Sequence, residues 1–280
     1  MLRPWVADDG ALVRLRLPRG AVTFEALAEL LRVAERHGDG TVYLTSRANV
    51  QVRGLSHLDG RLEDEVAHAV LATGLVPSTT HERVRNIMAS PLTGRAGGRA
   101  DLRPVVDDLD ARLCAEPRLA GLAGRFLFVL DDGRGDLVGR DLDLGLVAVD
   151  AESAQVRAGR HGWGPVIPLD QAAAALTALA VSFVERAGTA PNAPWHVDEL
   201  DGGGTALLGA PRKRRVETRI SSGPPPLGKI AQQDGRVAEH VPVPDGRVDA
   251  RLLAELAALS PRELIVTPWR TVVVPDLENT

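Results

Sequence analysis

Four polar side chains recur at every second position of one short stretch: Arg47, Asn49, Gln51 and Arg53 in Thr45-Ser46-Arg47-Ala48-Asn49-Val50-Gln51-Val52-Arg53-Gly54. A strand sends successive side chains to opposite faces, so this spacing puts all four polar ends on one surface of a sheet. Such a face is unusual for a core strand. Two of the four are guanidiniums, planar forks that hold a carboxylate through two parallel hydrogen bonds and stay charged at any working pH. The chemistry this stretch offers is recognition of an anion.

Other reactive side chains are sparse. Cys114 is the single cysteine of 280 residues, so the chain can form no internal disulfide and cannot supply the four thiolates an iron–sulfur cluster usually takes. Its neighbours Leu113 and Ala115 read as helix, which makes it a buried structural thiol. The seven histidines, at 37, 57, 68, 81, 161, 196 and 240, include no i, i+4 pair and no nearby cysteine, which predicts no metal site. Gly223-Pro224-Pro225-Pro226-Leu227-Gly228-Lys229 has the outline of a phosphate loop. Its three prolines remove the N–H donors that would cradle phosphate, and Ile230 stands where a magnesium-binding hydroxyl belongs, so it reads as a linker. The basic run Arg212-Lys213-Arg214-Arg215 reads as a solvated face, with an anion-binding loop as the other reading.

Composition narrows the function classes. Lys plus Arg number 33 against 37 Asp plus Glu, a net charge of -4, and the aromatics are only Trp 4, Tyr 1 and Phe 4. Neither a positive field nor base-stacking platforms are on offer, so no nucleic-acid partner is expected. No apolar run approaches the ~18 residues of a spanning helix. The N-terminus turns acidic at Asp8 and Asp9 without an apolar signal region, so no membrane partner is expected and the cytoplasm is the expected compartment.

The elements that must position the polar stretch follow from period and punctuation. Residues 11–17 alternate, with Val13, Leu15 and Leu17 on one face and Arg14 and Arg16 on the other, as a half-buried strand does. Pro18 and Gly20 turn the chain, and Thr23 caps a helix on which Phe24, Leu27, Leu30, Leu31 and Ala34 recur, ending at Gly38 and Gly40. Residues 42–44 and 49–53 read as strands, giving the order βαββ, and a second helix is expected over about 58–72. The C-terminal segment repeats the plan. Pro244-Asp245-Gly246 answers Pro18-Arg19-Gly20, Asp249 can cap a helix over 250–259, and residues 264–277 align without gaps on 42–55. Two related half-domains about a pseudo-twofold axis are expected, with the middle of the chain inserted between them. There, 83–89 and 125–130 read as strands, Asp131-Asp132-Gly133-Arg134-Gly135 as a hairpin turn leading to strands near 137–141 and 145–149, and 101–113 and 170–186 as helices.

These blocks resemble a known family. The stretch 45–54 resembles the signature strand of the nitrite/sulfite reductase superfamily, and its Arg-Ala-Asn-x-Gln-x-Arg-Gly form is most similar to precorrin-3B synthase. Arg85-Asn86-Ile87-Met88-Ala89-Ser90-Pro91, Gly124-Arg125-Phe126-Leu127-Phe128-Val129-Leu130-Asp131-Asp132-Gly133 and Thr267-Pro268-Trp269-Arg270 resemble further family blocks in the same order. The resemblance covers almost the whole chain but only the N-terminal half of a full-length family member. It implies that Arg47, Arg85 and Arg125, the last at a position where the family has a lysine, face an anionic substrate or a tetrapyrrole rim, with Asn86 beside them. The family's tetrapyrroles carry many carboxylates, which guanidiniums suit. Trp269 reads as filling space between half-domains rather than as a stacking platform. Two features depart from the family pattern. Leu127 stands where sulfite reductases place a second lysine, and the four cluster cysteines, carried by the family in a later segment, have no counterpart here.

The resulting expectation is an α+β protein with two βαββ ferredoxin-like half-domains related by a pseudo-twofold, at 1–74 and 226–280. They enclose a mixed αβ middle domain at 75–200, followed by a linker at 201–225. The resemblance implies a precorrin-3B-synthase-like oxidoreductase acting on a carboxylated tetrapyrrole in cobalamin biosynthesis. The site residues are Arg47, Asn49, Gln51, Arg53, Arg85, Asn86 and Arg125, and the family's 4Fe-4S cluster and, in the reductases, sirohaem would come from a cysteine-rich partner subunit. The alternatives are a non-catalytic tetrapyrrole-binding or scaffold relative and a fragment of a sirohaem nitrite/sulfite reductase.

Overall fold

The computed structural model describes residues 4–7, 10–188, 190, 192–210 and 212–279; Asp8 and Asp9 lie outside them. Strands β1 (Trp5–Ala7) and β2 (Gly10–Leu15) pair antiparallel. The turn Pro18–Gly20 leads into β3 (Ala21–Thr23) and α1 (Phe24–His37). The Thr23 hydroxyl accepts from Ala26 N at 3.1 Å, a cap that contributes about 1 kcal/mol. Leu27, Leu30, Leu31 and Ala34 form the buried stripe of α1. At Gly38 an added Cβ would lie 2.5 Å from the Arg53 carbonyl oxygen, so the helix must stop on a residue without a side chain. Strands β4 (Val42–Leu44) and β5 (Val50–Leu55) follow. A small hairpin, β6 (His57–Leu58) and β7 (Arg61–Leu62), occupies the first part of the helix expected over 58–72. Its turn residues Asp59 and Gly60 take φ of 49° and 73°, which no helix accommodates, so α2 (Asp64–Ala72) begins only after it.

Residues 83–224 form a unit of their own. It comprises β8 (Ile87–Ala89), α3 (Arg103–Ala115), β9 (Phe128–Asp131), β10 (Leu144–Ala148), β11 (Ser153–Ala158), β12 (Gly162–Pro168) and α4 (Leu169–Ala187), with the sheet ordered β12-β11-β10-β9-β8. Leu109 and Leu113 of α3, and Leu176 and Phe183 of α4, bury against Phe128, Leu130, Leu144 and Leu146. The expected hairpin after β9 is not one, because β9 and β10 run parallel. The Asp131 carboxylate instead collects the N–H groups of Gly133, Gly135 and Leu137 at 2.9, 2.9 and 2.8 Å. That folds the acidic stretch into a closed loop, and no strand forms near 137–141. The segment 201–224, read above as linker, packs within this unit. Its basic run is docked by the buried Gln155, whose Nε2 donates to Lys213 O at 2.9 Å and whose Oε1 accepts from Arg215 N at 2.8 Å.

The first unit in chain order joins residues 1–82 to 225–280, which makes 83–224 the second. Its C-terminal elements are β13 (Gly228–Ala231), β14 (Val237–Val241), β15 (Arg247–Val248), α5 (Ala250–Ala257), β16 (Glu263–Val266) and β17 (Val272–Leu277). Each half contributes a strand to the other's sheet: the orders are β1-β2-β5-β4-β15 and β13-β14-β17-β16-β3. The exchange is reciprocal, with Arg247 opposite Tyr43 and Ala21 opposite Ile265, as a twofold relation requires. Local chemistry repeats too. The Asp249 carboxylate caps α5 by accepting from Leu252 N at 2.9 Å, as Thr23 caps α1, and Arg19 and Asp245 both take φ of 53° in the two answering turns. One continuous core runs through both halves, from Leu15, Leu30 and Val52 to Leu256, Val266 and Val274. Among the described residues no helix is long and apolar enough to cross a membrane.

Candidate functional site

Pairing of β2, β5, β4 and β15 sets Arg14, Gln51, Tyr43 and Arg247 in one row across the first sheet, through the registers Arg14 to Gln51, Gln51 to Tyr43 and Tyr43 to Arg247. Val50 and Val52 point into the core, so Gln51 and Arg53 are left on this outer face. Arg14 Nη2 donates to Gln51 Oε1 at 3.2 Å. The Tyr43 hydroxyl donates to the Asp39 carboxylate at 2.6 Å, and that bond, with burial, raises the phenol above its ordinary pKa. The guanidinium carbons of Arg53 and Arg247 lie 5.9 and 5.6 Å from the Tyr43 ring centroid, within cation–π range.

Arg47 reaches the same place from the β4–β5 turn. Thr45 Oγ1 accepts from the N–H groups of Arg47 and Asn49 at 3.3 and 3.2 Å, Thr45 N donates to Asn49 O at 2.9 Å, and Ala48 takes the left-handed φ of 56°. The turn is closed by its own first residue, which leaves Arg47 at its tip. Arg14, Arg47, Gln51 and Arg53, with Asp245 and Arg270, line a hollow of about 400 Å³. That is the small end of the range for small-molecule sites, room for the edge of a large ligand. Burial lowers the Arg14 pKa from its ordinary value, yet a guanidinium has so wide a margin that it remains a cation. Four guanidiniums against the single carboxylate of Asp245 leave the lining positive, and a bound anion relieves their mutual repulsion.

Three of the sequence-predicted residues, Arg47, Gln51 and Arg53, therefore meet in one hollow. Asn49 shares their parity but not their surface. It precedes β5, is buried, and its Oδ1 accepts from Leu17 N at 2.9 Å, tying the turn to the strand end. The other three lie in the second unit. Arg85 is buried with both prongs committed to Asp110 of α3, Nε to Oδ1 at 2.7 Å and Nη2 to Oδ2 at 2.6 Å. Asn86 is buried and donates to Gly124 O at 3.4 Å. Arg125 is exposed, its guanidinium 4.2 Å from the Trp195 ring centroid. Leu127 is buried, so no charge could sit there at low cost.

Arg14, Tyr43, Asp245 and Arg270 are hollow residues that the sequence analysis did not assign. The signal for Arg14 was its place on the polar side of an alternating strand; what was missing was that β2 lies beside β5. The second half supplies a contrast at the same backbone positions. The registers place His240 where the first half has Arg14, Val273 where it has Gln51, and Ile265 where it has Tyr43. His240 is buried with Nε2 2.6 Å from Thr271 Oγ1. The duplicate keeps the fold and lacks the cationic face.

A buried acidic group, Asp131, Asp132 and Asp136, occupies the loop after β9, with one carboxylate oxygen of each within 4.8 Å of the others. Two of the three carboxylates are answered from inside, Asp131 by three backbone N–H groups and Asp132 by Arg134 at 2.6 Å, while Asp136 Oδ2 is buried without a hydrogen-bond partner among the described residues. Burial pushes the Asp136 carboxyl up to about 7, although Ser90 Oγ donates to it at 2.7 Å. Cys114 on α3 is partly exposed rather than buried, and desolvation with the Asp110 charge raises its thiol above the ordinary value. One such thiol does not fit a cluster held by four cysteine thiolates. The arginine face offers positive charge and forked donors of the kind that hold carboxylates.

Comparison with known proteins bears on the wall that carries this face. Residues 7–58 match the Nitrite/Sulfite reductase ferredoxin-like half domain. That span contains Arg14, Tyr43, Arg47, Gln51 and Arg53. Among curated proteins, the chain is 32% identical over 137 residues to precorrin-3B synthase of Sinorhizobium sp, an alignment taking in 48% of this chain and 28% of that protein. It is 28% identical over 138 residues to ferredoxin–nitrite reductase of Synechococcus elongatus, covering 47% of this chain and 27% of that protein. The alignments thus span little more than a quarter of these relatives. The structure of the Mycobacterium tuberculosis NirA protein superposes with a TM-score of 0.68 at 16% identity, over 98% of this chain and 57% of that one, so the fold is shared across nearly the whole chain.

Proposed function

We propose that the cationic face of the first unit binds a carboxylated tetrapyrrole and that the chain is a precorrin-3B-synthase-like oxidoreductase component of cobalamin biosynthesis. The observation that carries this reading is the convergence of Arg14, Arg47 and Arg53 around Gln51 in one hollow. The guanidiniums would hold carboxylates of the rim and orient the macrocycle, while Gln51 offers both a donor and an acceptor to its polar edge. Electron transfer would need a cluster held by cysteines outside these residues, and a cysteine-rich partner subunit is the proposed source, since Cys114 alone cannot hold one. Ferredoxin–nitrite reductase is a relative of comparable similarity, so a sirohaem reductase component is the second reading. Buried Leu127, at the position of a reductase lysine, favours the first.

The test is titration of the purified chain with uroporphyrin, an octacarboxylate, before and after Arg47→Ala. Loss of one charge-assisted bidentate contact should weaken binding by about 1.5–3 kcal/mol, or roughly ten- to a hundredfold. An unchanged affinity would remove Arg47 from the site. A chain that binds sirohaem, an iron-bearing carboxylated tetrapyrrole, much more tightly than uroporphyrin would favour the second reading.

A further inference from the structure

We propose that Arg270, supplied by the second half of the first unit, is a specificity-determining carboxylate contact of the hollow, so that the site selects a polycarboxylate reaching from one half to the other. This deepens the tetrapyrrole reading and rests on it. Arg270 lines the same hollow as Arg14, Arg47 and Arg53, although it is more than 200 residues from any of them in sequence.

The backbone that presents it is the repeat of the Arg47 turn. Thr267 N donates to Thr271 O at 2.9 Å, Arg270 N to Thr267 O at 3.0 Å, and Thr267 Oγ1 accepts from the N–H groups of Trp269 and Thr271, each at 3.3 Å. These are the bonds of the Thr45–Asn49 turn, position for position. Arg270 takes φ of 59°, and its counterpart Ala48 takes 56°. At one left-handed position the first half has a buried methyl group, whereas the second has an exposed guanidinium. A cation on a backbone conformation that side chains rarely adopt is not demanded by the fold, since alanine serves there in the other half.

Gly246 directs it. A Cβ added to Gly246 would meet Arg270 Cδ at 3.1 Å and Cβ at 3.2 Å, so the aliphatic stem of Arg270 lies along the space that glycine leaves open. The counterpart glycine, Gly20, faces the Val266 carbonyl instead. Among the described residues the Arg270 guanidinium has no hydrogen-bond or ion-pair partner, whereas Arg14 is bonded to Gln51. Its five donors therefore remain for a ligand. One small monovalent oxyanion cannot answer cations from both halves of a hollow of about 400 Å³. Carboxylates on neighbouring arms of one ligand can, and each takes a planar fork bidentately.

The experiment titrates the full chain with uroporphyrin and with mesoporphyrin, which carries two carboxylates, following the Soret band. Arg270→Ala should weaken uroporphyrin binding about tenfold or more, Arg270→Lys should give an intermediate loss because charge remains without the fork, and mesoporphyrin affinity should change less than threefold. Thermal melting checks that Arg270→Ala leaves the fold intact, as the alanine at position 48 leads one to expect. If Arg47→Ala impairs uroporphyrin binding and Arg270→Ala does not, the role of Arg270 is refuted while the tetrapyrrole reading stands. Equal losses for both porphyrins would refute selection by carboxylate number. If the unmodified chain binds neither porphyrin, both proposals fall together.

Discussion

Arg85 separates two accounts of the second unit. Its fork grips Asp110 at 2.7 and 2.6 Å, and the two side chains are 8% and 21% exposed. Removing one partner of a fully buried pair costs about 3–5 kcal/mol, mostly because the other charge is left without an answer. Asp110 retains some access to water, which puts the expected cost of Arg85→Ala at about 2–3 kcal/mol. At roughly 2–4 °C per kcal/mol for a chain of this size, the melting temperature should fall by about 4–12 °C. The Asp110→Ala variant and the double variant complete a cycle, in which coupling of about 2 kcal/mol is expected from urea midpoints. Cys114 provides a second reading of the same contact. Arg85 lowers its thiol pKa and Asp110 raises it, so Arg85→Ala should slow the reaction of Cys114 with a disulfide reagent at neutral pH. If Arg85→Ala leaves the midpoint and the thiol rate unchanged while abolishing porphyrin binding, Arg85 serves the ligand and the internal assignment is wrong.

Three further outcomes follow from single contacts. Asp136 has a folded pKa of about 7 against an ordinary 3.8, so the unfolded chain ionises first as pH rises. The native state loses stability between about pH 4 and 7, up to about 4 kcal/mol, and Asp136→Asn should flatten that slope; parallel pH profiles would refute the assignment. Gly20→Ala puts a Cβ 2.0 Å from the Val266 oxygen, whereas Gly40 has a similar positive φ and open space around it. The first should cost more than 3 kcal/mol and the second about 1 in denaturant unfolding, and equal costs would count against the reciprocal strand exchange as described. Asn49→Ala should destabilise the first unit by about 1–3 kcal/mol through the orphaned Leu17 N–H with porphyrin affinity unchanged, while Gln51→Ala should do the reverse.

Much of the first unit was legible because its signals are local. Alternation marked β2 and β5, helical spacing or a Thr23 or Asp249 cap marked α1 and α5, and the gapless repeat of 42–55 in 264–277 announced the duplication and with it β17. The middle of the chain was less legible for an equally physical reason. Asp131-Asp132-Gly133 is good hairpin chemistry, but an aspartate can satisfy three loop amides as readily as it can start a turn, and only the parallel pairing of β9 with β10 chooses between them. Likewise Asp59-Gly60 interrupts a helical pattern with a two-strand hairpin too short for a period to register.

For the candidate site, the sequence alone determined residue types and parity: Arg47, Gln51 and Arg53 on one side of a strand, Val50 and Val52 on the other, because side-chain alternation is a property of the backbone itself. It equally determined that one cysteine cannot make a cluster. Which strands lie side by side is set by pairing across the sheet, so only the tertiary structure could bring Arg14, Tyr43 and Arg270 to that face. It also withdrew Asn49 into a turn and gave both prongs of Arg85 to Asp110. A guanidinium looks the same in any sequence; whether it meets a ligand or a neighbouring carboxylate depends on what the fold places within about 3 Å of it.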